Sequence, residues 1–253
     1  MRRIQELFMI NDKGMSLVLL IIITVSIPTI NRKTMYYNGF PCVYDFYINT
    51  SLYIVITFLV PLILFYILYV ERYNFSAVVV VRKKNKMDIW SGCVKELAAM
   101  SLISAIYVYI ITTISGLLMT HTMYNWNQET SRCYNSIGKI SDMHPSALLL
   151  GVIFTFQIFC IIFIMGILML AMWWISDRKI YGYLFAFVII LIEYYDKFDK
   201  VSKGILWRRT VISYILYKKE LDVCRYIIIP LVMLFCTVIL TSAAVRFKKK
   251  EFI

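Results

Sequence analysis

"SALLLGVIFTFQIFCIIFIMGILMLAMWWI" runs from Ser146 to Ile175 without one charged side chain. As a helix it would rise roughly 45 Å, more than the ~30 Å hydrocarbon core of a bilayer. Tilt, or protrusion with Trp173 and Trp174 near one interface, accommodates the excess. Five further apolar stretches surround it: Ser16–Ile30, Leu52–Val70, Leu97–Met119, Ile180–Ile192 and Tyr226–Val245. Backbone amides find no water in a bilayer, so these stretches must be helical. The reading is an all-α, polytopic membrane protein forming one domain over residues 1–253.

Hydrophobic residues make up 60% of the chain and charged residues 17%, with a formal net charge of +12. The positive charge flanks the apolar stretches, where it sets orientation and meets anionic lipid. No basic-aromatic stripe or known module supports nucleic-acid binding. Residues 1–14 carry Arg2, Arg3 and Lys13 ahead of an apolar run, like a signal peptide. Ser26–Ile30 lacks a small-x-small cleavage pattern, so a retained first span is expected. Ile4, Leu7, Phe8 and Met9 suit a short amphipathic helix lying on the membrane surface.

Lys and Arg counting sets the topology. With the N-terminus inside, inner segments hold Arg72, Arg82, Lys83, Lys84, Lys86, Lys95, Arg178, Lys179, Arg246 and Lys248–Lys250. The first two outer loops hold only Arg32, Lys33, Arg132 and Lys139. Residues 193–225 disturb the pattern, because Lys197, Lys200, Lys203, Arg208, Arg209, Lys218, Lys219 and Arg225 fall outside in a six-span arrangement. A five-span alternative, with Ile180–Ile192 dipping into the membrane, answers that loop but strands the basic C-terminal cluster outside. Within the loop, Ile205–Tyr217 suits an interfacial or re-entrant helix anchored by Trp207, Tyr214 and Tyr217.

Groups able to do chemistry are sparse. No ionisable residue falls inside the six stretches, which disfavours a proton-coupled carrier or ion pump. Gln157 stands out, since a primary amide facing lipid is costly. With Thr155 and Ser104 it is the candidate lining of a substrate path, against the plainer alternative of helix packing. Cys42 and Cys133 fall in the two outer loops as a candidate disulfide pair, and no cysteine spacing suggests a metal. His121 and His144, near Asp142 and Glu129, lack zinc-ligand spacing. No nucleophile–base arrangement and no P-loop occur, so no catalytic residues and no cofactor of its own are assigned to the chain.

The inner segment Glu71–Glu96 reads "ERYNFSAVVVVRKKNKMDIWSGCVKE". An apolar run precedes a basic turn, and Trp90 then leads into a span at headgroup depth. In this local run, and in the order of elements, the chain resembles the membrane subunits of ABC-2-type (type V exporter-like) transporters. It resembles especially the small Gram-positive permeases of bacteriocin or lantibiotic self-protection. The resemblance implies six spans, an N-terminal amphipathic helix, an inner coupling helix, cytoplasmic termini and a bacterial cell membrane. It implies that Asn74, Phe75, Arg82, Lys83, Lys84, Lys86 and Trp90 contact a separate ATP-binding-cassette ATPase, which would hold ATP and Mg. It further implies a second permease subunit and an amphipathic or lipid-like cargo, such as an antimicrobial peptide. The alternative readings are a non-transporting assembly or sensor subunit and, if His121, His144 or Asp142 clustered, an intramembrane enzyme.

Overall fold

The computed structural model describes residues 2–35, 41–72, 86–125, 146–196 and 223–247. Among them all regular structure is helical and no strand occurs. α1 spans Arg2–Met35, α2 Val43–Asn49, α3 Val60–Glu71, α4 Lys86–Thr120, α5 Ala147–Ser176, α6 Lys179–Asp196 and α7 Val223–Phe247. Five helical stretches are long and apolar enough to cross a membrane, which fits a multi-pass membrane protein. The apolar part of α6, Lys179–Ile192, is shorter.

α2 and α3 are joined by a π-helical segment, Thr50–Leu59, and the backbone stays right-handed helical through both junctions. The chain is therefore one unbroken helix from Val43 to Glu71. Its widened turns end just before Pro61. Proline cannot donate to the carbonyl four residues back, and its ring crowds that carbonyl. A wider turn relieves the clash, and the Val60 amide reaches back to the Val55 carbonyl. The proline thus follows directly on a π-helical stretch. Runs of π-helix this long are rare, and short ones gather at functional sites.

Two sequence expectations change at the helix ends. The first span and the N-terminal segment form a single helix, because nothing from Asn11 to Gly14 interrupts it. The inner segment expected through Glu96 is already helical from Lys86.

α5 is the central helix: 67% of its apolar window is buried inside the protein, against 22% for the apolar window of α1 and 11% for that of α7. Being hydrophobic on every side, it can be packed on every side. At one end of the bundle Trp90 of α4 meets Trp174 of α5 edge to face, ring centres 6.1 Å apart. The Trp90 indole N–H donates to Ser242 Oγ of α7 at 3.1 Å. At the opposite end Tyr47 packs on Phe154 at 4.8 Å and stacks on Tyr109 at 5.9 Å. There the amides of Val43 and Tyr44 donate to the carbonyls of Thr122 and Met123 at 3.0 and 3.2 Å. We call these the tryptophan end and the tyrosine end.

These contacts fix helix directions. Ser16 and Tyr66 share a hydrogen bond of 2.6 Å, while Asn31 reaches Thr50 at 3.0 Å, so α1 runs against the Val43–Glu71 helix. The start of α4 and the ends of α5 and α7 meet at the tryptophan end. α6 starts there too, its Gly182 lying against Met169 and Trp173 of α5.

Candidate functional site

The polar groups of the interior lie along the helix Val43–Glu71 and its neighbours. Asp45 is fully buried. Its carboxylate accepts from the Cys42 amide at 3.1 Å and from the Cys42 thiol at 3.6 Å. It thereby caps the start of α2 and satisfies an amide that would otherwise be orphaned. Asn49, Thr50 and Ser51 follow, all buried, and Asn31 of α1 donates its amide N–H to Thr50 Oγ1 at 3.0 Å. Glu71, at the other end of this helix, is fully buried and lies beside Cys93 of α4. Asp45 and Glu71 lie just beyond the limits drawn from hydropathy, so the bundle buries two ionisable groups that the apolar runs alone do not include.

Gln157 sits in the middle of α5, 1% exposed, and neither atom of its amide has a hydrogen-bond partner. Its depth follows from its neighbours. One turn before it on α5, Phe154 meets Tyr47, and three residues beyond Tyr47 the π-helical segment begins. α5 and the Val43–Glu71 helix both run away from the tyrosine end, so the amide lies at the level of the Asn49–Ser51 cluster. An orphaned buried polar group costs about 1–3 kcal/mol. The hydroxyls of Ser101 and Thr112 on α4 are likewise buried without a partner. Together these groups offer neutral donors and acceptors in an apolar surrounding. They could host the amides or hydroxyls of a bound molecule, and they include no base placed beside a nucleophile.

The expected substrate-path residues do not converge. Thr155 lies two residues from Gln157, on the opposite side of α5. Its hydroxyl donates to the Gly151 carbonyl at 2.8 Å, and the side chain lines a groove toward α4. Ser104 is half-buried on α4. Trp90, expected to serve a partner at headgroup depth, turns inward: it is 1% exposed and held between Trp174 and Ser242. Asn74, Phe75, Arg82, Lys83 and Lys84 lie outside the described residues, as does the side chain of Lys86. Cys42 is a buried thiol, while Cys133 lies outside the described residues. The loop containing Ile205–Tyr217 is outside them too. His121 is exposed at the end of α4 in a left-handed turn with φ 56°, its amide donating to the Leu117 carbonyl at 3.0 Å. Glu129, Asp142 and His144 are outside the described residues. Among those described, no three His, Cys, Asp or Glu side chains gather as a metal site would need.

Asn31, Asn49, Thr50 and Ser51 were not singled out from sequence. Asp45 and Asn49 dilute the hydropathy of the stretch before Leu52. A usable signal was Val43–Asn49, where five apolar or aromatic residues surround those two polar ones.

Comparison of the chain with protein-family models, curated proteins and solved structures finds no match.

Proposed function

We propose that this chain is the membrane-spanning permease subunit of an ABC-2-type transporter. ATP and Mg are handled by a separate cytoplasmic ATPase, and a second permease subunit completes the pathway. In this reading α6 is a sixth crossing, and the tryptophan end faces the cytoplasm of a bacterial cell. The supporting observation is where the chain's segments end. The start of the first span, the end of α3, the start of α4, the turn between α5 and α6 and the end of α7 all lie at the tryptophan end. Arg72, Lys95, Arg178, Lys179 and Arg246 accompany them. Charge of this sign stays on the cytoplasmic side. Both ends of the bundle at one side favour an even number of crossings, with α6 read as the sixth.

The coupling element is residues 74–86, the part of the sequence that leads up to α4. Because Trp90 is locked to α5 and α7, a push on this element moves three helices at once. The π-helical segment and the orphaned Gln157 amide then mark where the interior changes its hydrogen bonding between states. A bundle with neutral polar groups amid aromatic side chains suits an amphipathic cargo such as a membrane-active peptide.

The test is purification in mild detergent followed by ATPase assay. The expected result is a co-purifying P-loop ATPase stimulated by this chain, with Arg82→Glu plus Lys83→Glu releasing it. No partner ATPase, or a complex indifferent to both charge reversals, would count against the proposal.

A further inference from the structure

Between α4 and α5, on the outside of the bundle, lies a groove of about 470 Å³ walled by Leu102, Ile106 and Tyr109 on one side and Leu148, Val152 and Phe159 on the other. We propose that it holds one acyl chain of a bilayer phospholipid from the leaflet at the tyrosine end. This rests on the membrane character of the bundle and is independent of the transport reading.

The first argument is depth. From Leu148 to Phe159 α5 rises roughly 16 Å, about half of the ~30 Å hydrocarbon core. The groove starts two residues after the cap of α5 at Ser146, so with that cap at one interface it runs from there toward mid-bilayer. A chain from the other leaflet would not reach it.

The second argument is how the groove is made. Gly151 has no side chain, and a Cβ there would lie 2.7 Å from Tyr109 Cε2 and 2.9 Å from its hydroxyl oxygen. The tyrosine ring therefore lies directly on the α5 backbone. The adjoining Thr155 hydroxyl is turned back onto the Gly151 carbonyl, so it offers no donor to a polar guest. What remains is an apolar trough of small-ligand size, within the ~300–1,000 Å³ range of such sites.

The third argument is extent. Nine residues line the trough, whereas a stable protein interface engages about 20–30 residues a side. A single chain fills it, and a second copy of the protein would need far more surface than the trough supplies.

The test uses the full chain in phosphatidylglycerol nanodiscs carrying a mid-chain diazirine on the acyl tail. Photolabelled residues are mapped by mass spectrometry. Labelling at Ile106 and Phe159 is expected to exceed that at Ile239 and Leu240, lipid-exposed residues of α7, by about tenfold, the factor a 1.4 kcal/mol preference gives. Ile106→Trp, at a position 43% exposed, should abolish the excess at Phe159. Leu118→Trp, at a position 71% exposed outside the groove, should leave it unchanged and controls for folding. Equal labelling of groove and α7 would mean annular lipid only and would overturn the proposal. Groove residues shielded from lipid in a dimer, with cross-links between copies, would overturn it in favour of a second copy.

Discussion

Replacing Gly182 by alanine tests whether α6 is seated against α5 as described. A Cβ at this position would fall on the Met169 carbonyl oxygen and lie 3.1 Å from both the amide nitrogen and the Cβ of Trp173. Backbone atoms of a central helix cannot rotate aside, so α6 must back away by several tenths of an ångström or more. A gap of 0.5–1 Å forfeits roughly a quarter to a half of each contact along the seam, and overpacking of this kind costs about 1–3 kcal/mol. The upper part of that range applies, because the obstruction is backbone. Gly92→Ala is the matched control: nothing lies within 4 Å of its added Cβ, so only helix propensity acts, a gain of up to ~1 kcal/mol. Gly166→Ala falls between them, since its Cβ meets Leu97 Cδ1 at 2.6 Å, the tip of a flexible side chain. The assay is reversible unfolding in mixed detergent micelles, read by fluorescence of the five tryptophans. The stability order should be Gly92→Ala, Gly166→Ala, Gly182→Ala. If Gly182→Ala matched Gly92→Ala within a few tenths of a kcal/mol, the described seating of α6 would be wrong.

Three more outcomes follow from the same geometry. Trp90→Phe and Ser242→Ala should each destabilise, and the double mutant should show a coupling of about 0.6 kcal/mol, at most ~1.7, the range for interhelical hydrogen bonds in membranes. A double-mutant unfolding cycle measures it, and strict additivity would remove the hydrogen bond from the account. Gln157→Leu should raise stability by about 1–3 kcal/mol by removing an orphaned amide, while lowering stimulation of the proposed partner ATPase if the amide serves cargo. Unfolding and ATPase assays on one preparation separate those effects. His121→Gly should stabilise by roughly 1 kcal/mol because it relieves a left-handed backbone at the end of α4; the melting midpoint in detergent reports it.

Much of the architecture is readable from the residues. Ser146–Ile175 is apolar on all faces, and the helix it forms is the most deeply buried of the membrane-length helices. The second span is less legible. Hydropathy starts it at Leu52, whereas the helix begins at Val43, because Asp45 and Asn49 lower the average while serving as a cap and part of a polar cluster. The sixth helix behaves similarly: it continues through Glu193–Asp196 after its apolar run ends at Ile192. Gln157 can be picked out as an amide in an apolar setting. Its isolation cannot, since that depends on what other helices bring to it. The Asn31–Thr50 bond joins residues 19 apart in sequence, and no local pattern announces it. The inward turn of Trp90 depends on Trp174 and Ser242 from two later helices. An interfacial tryptophan and a packed one look alike in sequence.

The proposed six alternating crossings, with both chain ends and residues 74–86 on one face, are tested most directly by accessibility of single cysteines. In a cysteine-free background, Tyr36→Cys, Lys84→Cys, Ser202→Cys and Lys249→Cys would each be probed in intact cells with a membrane-impermeant maleimide. The account predicts labelling at 36 and 202 and protection at 84 and 249 until the membrane is opened. Labelling of 84 from outside, or the reverse pattern at 202 and 249, would contradict it.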